Sequence, residues 1–414
     1  MSDRPNSMEK NWRNKYRVMV PQADAMGAIA AIRSLGEHGY DVYAVSANPN
    51  ALGLASRFAS HAVVSPDYDE QYVPWLREFI ARENIRAIVH SEGFLIAIQE
   101  HYEEFCHLIP GAGSREDVYR CMSKTATFGD FLSQDHSPAV KSHIPPTLVI
   151  KSDDEIDWQA IGQWPLPLFI KGDAYFARTG DESLVKRVET LEEAKTLVEQ
   201  LRPEYEELLI QGCVKGAKAT VNILAMDGKI LAESMVIASH HNPHTGGLTS
   251  LRKSWWQEDM YQDALQRLAF LNWQGAAMVE YSWDDTTQSF NFIELNARYW
   301  AALNLDILAG IHFPCYQMDY FFEKLAPEQA IRLTQSICAR HALPADFGYA
   351  LSLIKDKNVG LGKKLYCLVE FFALFLHPGI KADLLYPGDR KLYFINLGRF
   401  CKEFIRSALS RLNL

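Results

Sequence analysis

The sequence predicts a multidomain protein of mixed α/β and α+β class. We expect a parallel α/β domain at the N-terminus, two antiparallel α+β subdomains in the middle and a helical C-terminal extension. The length of 414 residues exceeds what one compact core usually holds. Short apolar runs alternate with helical segments over about residues 16–110, as they do in βαβ units. Further along, Asp227-Gly228 between two apolar runs is a hairpin signal typical of antiparallel sheets.

The N-terminal domain is predicted over residues 16–113, after a tail of residues 1–15 that we expect to be flexible. Its predicted strands are Tyr16–Pro21, Asp41–Ser46, Ala62–Ser65 and Ile85–His90. Parallel α/β sheets bind ligands at the carboxyl ends of their strands, and Glu92 follows the last of these strands. Glu92 is therefore a candidate substrate-site residue, although an acid that begins a helix is the simpler interpretation.

The middle domain is predicted over residues 114–325 and the C-terminal extension over residues 326–414. In the middle domain a helix over Ser114–Leu132 is followed by several strands and two further helices. The extension ends in a basic amphipathic helix, Leu397–Leu414. We expect this helix to pack on its own domain or on a second subunit of a homodimer, and an anionic membrane surface is the alternative.

Composition excludes several classes of function. The net charge of −9 argues against nucleic acid as a partner, because phosphate binding needs a basic face. Seven scattered cysteines without a C-x-x-C pair indicate free thiols rather than disulfides or a zinc site. The N-terminus lacks the apolar core of a signal peptide, and the longest apolar stretch, Leu365–Leu376, is too short to span a membrane. The sequence therefore predicts a cytoplasmic protein without a transmembrane segment.

Acidic residues end two strands of a predicted hairpin in the middle domain. Glu280 ends the run AAMVEY, and Glu294 and Asn296 end the run FNFIELN. Alternate residues of a strand share a face, so these three side chains can meet. Two carboxylates and an amide oxygen suit Mg²⁺, and Arg298 would lie on the same side, near a phosphoryl group. Solvated strand residues are the alternative, but the apolar runs before both acids favour a metal site.

The same hairpin resembles the end of a known domain. The stretch GAAMVEYSWDD followed by FNFIELNARYW is similar to the G-x-x-x-V-E-(F/Y) and E-(I/L)-N-x-R pattern that closes the ATP-grasp domain. The resemblance extends over roughly residues 16–320 and is greatest to stand-alone carboxylate–amine ligases and carbamoyl-phosphate-synthase-like members. Two N-terminal segments, Ser34-Leu35-Gly36 and Ser56-Arg57-Phe58, also match segments common in these proteins. Residues 114–325 would then form the ATP-grasp domain.

The resemblance implies ATP and Mg²⁺ as cofactors, with Mn²⁺ as a possible substitute, and it assigns roles to individual residues. The metal ligands would be Glu280, Glu294 and Asn296, and Arg298 would stabilise the reacting acyl group. Lys124 and Lys171 would contact the phosphates. The adenine would lie against a hinge formed by Gln211, Gly212 and Val214.

Two features depart from the family pattern. The loop after Lys171 reads GDAYFARTG where the family is glycine-rich, and Arg178 in this loop is expected to add charge at the phosphates. Lys218 stands near the position where a glutamate commonly holds the ribose. The histidines of the segment His240–His244 are interpreted as part of a loop that recognises the carboxylate or amine, with a zinc site as the alternative.

These observations together predict an ADP-forming ligase. It would join a small carboxylate to an amine through an acyl phosphate, forming a C–N bond. ATP-dependent carboxylation or carbamoyl-phosphate-type chemistry is one alternative, and a nucleotide-binding module without catalytic activity is another. The sequence does not identify either substrate.

Overall fold

The computed structural model describes residues 12–133, 138–151, 153–173 and 184–411. The strands of the described residues form three sheets. One belongs to the N-terminal domain, and a small and a large sheet belong to the rest of the chain. The mixed α/β and α+β class predicted from the sequence is confirmed.

The N-terminal sheet is parallel throughout, with the strand order β3-β2-β1-β4. Its strands are β1 (Arg17–Val20), β2 (Asp41–Ser46), β3 (His61–Val64) and β4 (Ala87–Ile88). The helices of this part are α1 (Met26–Glu37), α2 (Tyr72–Glu83), α3 (Glu92–Ala97) and α4 (Tyr102–Phe105). The chain leaves β1 on one side for β2 and returns on the other side as β4. The crevice between the ends of β1 and β4 is therefore a topological switch point, where open α/β sheets bind ligands.

The small sheet is antiparallel, with the order β5-β8-β6-β7. Its strands are β5 (Thr147–Lys151), β6 (Leu168–Gly172), β7 (Leu184–Val188) and β8 (Glu207–Gly212). The helices that precede or cover it are α5 (Arg115–Met122), α6 (Lys124–Leu132), α7 (Pro138–Lys141), α8 (Trp158–Ile161) and α9 (Leu191–Leu201). The prediction of a single helix over 114–132 is wrong, because Ser123 adopts an extended conformation and its hydroxyl accepts a hydrogen bond from the Ala126 amide. This N-cap starts a new helix at Lys124.

The large sheet has the order β13-β12-β9-β10-β11-β15-β16, and β14 pairs with β10. Its strands are β9 (Ala217–Met226), β10 (Lys229–Asn242), β11 (Leu248–Ser254), β12 (Gly275–Asp284), β13 (Ser289–Asn296), β14 (Ile331–Arg332), β15 (Cys338–Arg340) and β16 (Ile380–Ala382). The helices α10 (Glu258–Phe270), α11 (Leu303–Leu308) and α12 (Phe313–Glu323) follow β11 and β13. Asp227-Gly228 forms the predicted turn, and Lys229 pairs with Met226 across it.

The C-terminal segment is mainly helical, as predicted, with α13 (Phe347–Lys355), α14 (Leu361–Leu376) and α15 (Lys391–Arg411). The sequence did not predict that β14, β15 and β16 from this segment join the large sheet. Two buried ion pairs attach the segment to the body: Arg252 to Asp383 at 2.8 Å and Arg33 to Asp389 at 3.0 Å. Among the described residues, no helix combines the length and apolar character needed to cross a membrane.

Of the tail predicted to be flexible, only residues 12–15 are described. Arg13, in a short 3₁₀ turn, donates two hydrogen bonds of 2.7 Å to the carboxylate of Asp319 in α12. These four residues are thus joined to the body of the protein.

Candidate active site

The register of one hairpin in the large sheet brings the predicted metal ligands together. Strands β12 and β13 pair so that Glu280 lies opposite Glu294 and Met278 opposite Asn296. Directly opposed residues of an antiparallel pair share a face of the sheet. Asn296, two residues beyond Glu294, donates a hydrogen bond from its amide nitrogen to Glu294 Oε1 at 3.0 Å. The predicted spacing thus places two carboxylates and an amide on one face.

Two lysines neutralise the carboxylates of this hairpin. Lys218 Nζ lies 2.9 Å from Glu280 Oε1, and Lys124 Nζ lies 3.4 Å from Glu294 Oε2. Glu280 is only 6% exposed, so its charge needs a cationic partner in place of water. Lys218 was singled out in the sequence only as a departure from the family pattern. It lies on β9 opposite Ser282, one pleat from Glu280, and this register places its ammonium group against the Glu280 carboxylate.

Burial and charge shift the pKa values of this cluster in different directions. Burial raises the pKa of Glu280, and Lys218 only partly offsets this effect. Burial also acts to raise the pKa of Glu294, but Lys124 and Lys171 outweigh it, and the pKa falls below its ordinary value. The charge of Glu294 raises the pKa of Lys124. Glu294 is therefore held ionised, whereas Glu280 takes up a proton more readily than an exposed carboxylate does.

Lys171, at the end of β6, is 5% exposed and is fixed by a side-chain relay. Its Nζ donates to Gln211 Oε1 at 2.9 Å, and Gln211 donates from its amide nitrogen to Thr147 Oγ1 at 3.1 Å. Burial lowers the pKa of Lys171 to about 8. Gln211 thus positions a lysine, a role that the hinge interpretation did not predict.

A carboxylate that sequence reasoning missed positions Lys124. Asp173, two residues after Lys171, is 2% exposed and accepts hydrogen bonds from the Ser123 hydroxyl and the Thr125 amide, both at 2.8 Å. These bonds hold the first turn of α6 against the end of β6. Lys124, between Ser123 and Thr125, consequently faces Glu294 of the large sheet across the cleft between the small and the large sheet. The signal available in the sequence was an acid directly after the strand PLFIKG.

One backbone group of the predicted adenine hinge is already paired within the protein. The Gly212 amide already donates to the Pro146 carbonyl oxygen at 2.8 Å, so the prediction for Gly212 now depends on its carbonyl group. Val214 follows the end of β8, and its contact with adenine stays a prediction. Arg178 and its loop lie outside the described residues.

Arg298 contacts both Asn296 at the end of β13 and Glu92 at the start of α3. It donates to Asn296 Oδ1 at 3.1 Å and to Glu92 Oε2 at 3.2 Å, a contact between residues 206 positions apart. Arg298 also lines two cavities. One, of about 250 Å³, is lined by Lys218, Glu280, Glu294 and Asn296 among others. The other, of about 440 Å³, lies at the switch point of the N-terminal sheet.

The histidine segment is mainly strand, because β10 continues to Asn242, and the interpretation as a loop is therefore wrong for His240 and His241. His240 Nδ1 lies 2.8 Å from Asp346 Oδ1, and His244 Nε2 lies 3.0 Å from Asp356 Oδ2, so both histidines bind the C-terminal segment. Burial lowers the pKa of His241 to about 4, which keeps it neutral near pH 7. In the described part of the chain, no group of three or more His, Cys, Asp or Glu side chains is arranged to hold a metal, which gives the zinc alternative no support.

Neither a profile of a known protein family nor a curated protein sequence matches the chain. Solved structures do resemble it. N5-carboxyaminoimidazole synthetase from Staphylococcus aureus has 15% sequence identity and a TM-score of 0.60, and the match covers 88% of this chain and 86% of that one.

Two further structures are similar over 78% of this chain. L-amino acid ligase from Bacillus licheniformis matches over 79% of its own length, with 14% identity and a TM-score of 0.55. The biotin carboxylase domain of 2-oxoglutarate carboxylase from Hydrogenobacter thermophilus, solved with MgADP and bicarbonate, matches over 73% of its length, with 14% identity and a TM-score of 0.58. At these identities the likeness concerns the fold.

Proposed function

The chain has the ATP-grasp fold, and on that premise we propose that it is an ADP-forming ligase that joins a small carboxylate to an amine. The observation that carries the proposal is the position of Arg298. This residue lies between the carboxylate–amide set of the large sheet and the cavity of the N-terminal domain, and it lines both. An activated carboxylate next to Arg298 would be open to an amine bound in that cavity.

The carboxylate–amide set has the chemistry of a magnesium site. Carboxylate and amide oxygens are hard ligands, which Mg²⁺ prefers, and Mn²⁺ accepts them as well. The buried carboxylate of Glu280 already requires a positive partner, which Lys218 provides at 2.9 Å. We infer that a divalent cation shares this role, held by Glu280, Glu294 and Asn296. When bound, Mg-ATP supplies the phosphoryl group that converts a carboxylate into an acyl phosphate.

Lys124 and Lys171 are suited to neutralise phosphate charge. Both are held in place before any ligand arrives, Lys124 by the Asp173 contacts with the first turn of α6 and Lys171 by Gln211. Preorganised charges in a site shielded from water stabilise a transition state more than mobile surface charges do. Arg298 is expected to stabilise the oxyanion that forms when the amine adds.

The larger cavity fits a small amine better than a phosphorylated compound. Among the described residues that line it, Arg298 is the only lysine or arginine and Glu92 the only acid. Much of the remaining lining is apolar and includes Val20, Met26 and Ile96. A phosphate group would need more positive charge than Arg298 alone provides. Glu92 is suited to accept a hydrogen bond from an ammonium group.

The test is ADP release from the full chain with pools of amino acids and other small carboxylates, with and without amines. We expect release that needs both a carboxylate and an amine. Hydroxylamine in place of the amine should yield a hydroxamate, because it traps an acyl phosphate. Release that depends on bicarbonate and needs no amine would instead support carboxylation. ATP binding without release under any condition would support a nucleotide-binding module and contradict the proposal.

A further inference from the structure

Helix α14 turns an apolar face toward solvent. The most exposed large side chains of this helix are Leu376 at 86%, Leu361 at 73% and Val369 at 66%. With Leu365 and Phe372 they recur at helical spacing and so form one continuous stripe. The opposite face is the one that packs, since Cys367 and Phe371 are buried against α13. A surface helix normally buries its apolar residues and turns polar residues to solvent.

Helix α15 presents a second apolar face next to the first. Phe394, Ile405 and Leu409 on this helix are exposed. The two helices are joined through Phe347 of α13, whose ring lies 5.9 Å from that of Phe371 in α14 and 5.2 Å from that of Phe400 in α15. We call the exposed apolar residues of α14 and α15 the C-terminal surface.

The segment that carries this surface is rich in basic residues. Residues 361–414 contain nine lysines and arginines, although the whole chain has a net charge of −9. They are Lys363, Lys364, Lys381, Arg390, Lys391, Arg399, Lys402, Arg406 and Arg411. Of the four acids in this segment, Asp383 and Asp389 are buried in ion pairs with Arg252 and Arg33. The charge that the segment presents to solvent is therefore predominantly positive.

We propose that the C-terminal surface docks on a membrane that contains anionic lipids. An apolar helical face flanked by basic residues is the pattern of a helix that lies in the interface of a bilayer. The 16 residues of α14 extend over about 24 Å, less than the ~30 Å hydrocarbon core, so the helix lies on the membrane rather than across it.

A second copy of the chain fits this surface less well. In a two-fold interface the same patch meets itself, so the basic residues of one copy would lie against those of the other. Anionic headgroups instead complement the positive charge, while the leucine and phenylalanine side chains enter the acyl region. The proposal does not depend on the ligase chemistry, because none of these residues lines the two cavities at Arg298.

The test is sedimentation of the full chain with vesicles of phosphatidylcholine alone and of phosphatidylcholine with about 30% phosphatidylglycerol. We expect binding at least about tenfold stronger to the anionic vesicles, weakened by salt. The double variants Val369→Asp with Phe372→Asp and Lys402→Glu with Arg406→Glu should each weaken binding by about tenfold or more. The controls Leu325→Asp and Lys151→Glu, at exposed positions outside the surface, should bind as the unmodified chain does.

Equal binding to both vesicle compositions would overturn the proposal, and so would full binding by both double variants. A concentration-dependent dimer in solution that Val369→Asp with Phe372→Asp abolishes, without vesicle binding by the unmodified chain, would assign the surface to a second copy instead. An unchanged thermal midpoint verifies that each variant is folded.

Discussion

The candidate active site buries charge, whereas the C-terminal surface exposes hydrocarbon. In the cleft, Lys171 is 5% exposed and Glu280 6%, while on α14 Leu376 is 86% exposed. Each arrangement opposes the usual distribution of polar and apolar groups in a folded protein. Such departures cost stability in the free protein, so each indicates what its region binds. The cleft is suited to a cation and phosphates, and the surface is suited to an apolar phase.

The two regions also differ in how they are built. The cleft collects residues from α6, β6, β9, β12 and β13, and each charge depends on a partner from another element. The C-terminal surface needs only two helices and the ring of Phe347. Substitutions in the cleft should therefore alter chemistry and leave membrane binding intact, and substitutions on the surface should do the reverse.

The largest effect is expected from Glu294→Gln. Loss of this carboxylate removes a predicted metal ligand and the partner of Lys124, and we expect ADP release to fall by about 10³-fold, or about 4 kcal/mol of activation free energy. Asp285→Asn, at the exposed turn of the same hairpin, is the matched control and should retain activity. Unchanged turnover in Glu294→Gln, with the thermal midpoint preserved, would contradict the metal assignment.

A smaller and more selective effect is expected from Glu92→Gln. Its carboxylate accepts from Arg298 and is proposed to hold the ammonium group, so the KM for the amine should rise by about 10-fold to 100-fold. The affinity for ATP should not change. Glu100→Gln, on an exposed residue of the same domain, serves as the control. An equal loss of ATP affinity in Glu92→Gln would show that the larger cavity is not a separate acceptor site.

The pH dependence of ATP binding should report the protonation state of Lys171. Because burial lowers the pKa of Lys171 to about 8, the lysine of the free protein loses its charge as pH rises through that value. The affinity for ATP should therefore fall by up to about tenfold per pH unit above about pH 8. Glu294 raises the pKa of Lys124, so Lys124 stays charged over this range. In Lys171→Arg the guanidinium keeps its charge, and calorimetry should find a nearly flat profile.

The smallest effect on catalysis is expected from Val369→Asp with Phe372→Asp. Both side chains are exposed and distant in sequence from the cleft residues, so ADP release should stay within about twofold of the unmodified rate. Loss of activity in parallel with loss of vesicle binding would show that the two regions are coupled.

The part of the site that could be predicted depends on local spacing. Period-two alternation places Glu294 and Asn296 on one face at the end of β13. The prediction that Glu280 ends a strand is wrong, because β12 continues to Asp284, but the hairpin register still places Glu280 opposite Glu294. Lys171 was recognisable as a lysine that ends an apolar strand.

What could not be predicted depends on contacts between distant segments. The pairing of Lys218 with Glu280 requires β9 to lie beside β12, although α10 and two strands separate them in sequence. The contact of Arg298 with Glu92 joins residues 206 positions apart. The continuation of β10 through His240 depends on pairing with β11, with a bulge beside His240, and on the bond from His240 to Asp346. No local pattern carries this information.

The central claim is that Glu280 and Glu294 hold a divalent cation that binds together with the nucleotide. Calorimetric titration of ADP, with Mg²⁺ and with a chelator, tests it directly in the unmodified chain, in Glu280→Gln with Glu294→Gln, and in Asp285→Asn. We predict that Mg²⁺ tightens binding by at least about tenfold in the unmodified chain and in Asp285→Asn, and that the double variant loses this difference. Equal affinity with and without Mg²⁺ in the unmodified chain, or a full Mg²⁺ effect in the double variant, would contradict the claim.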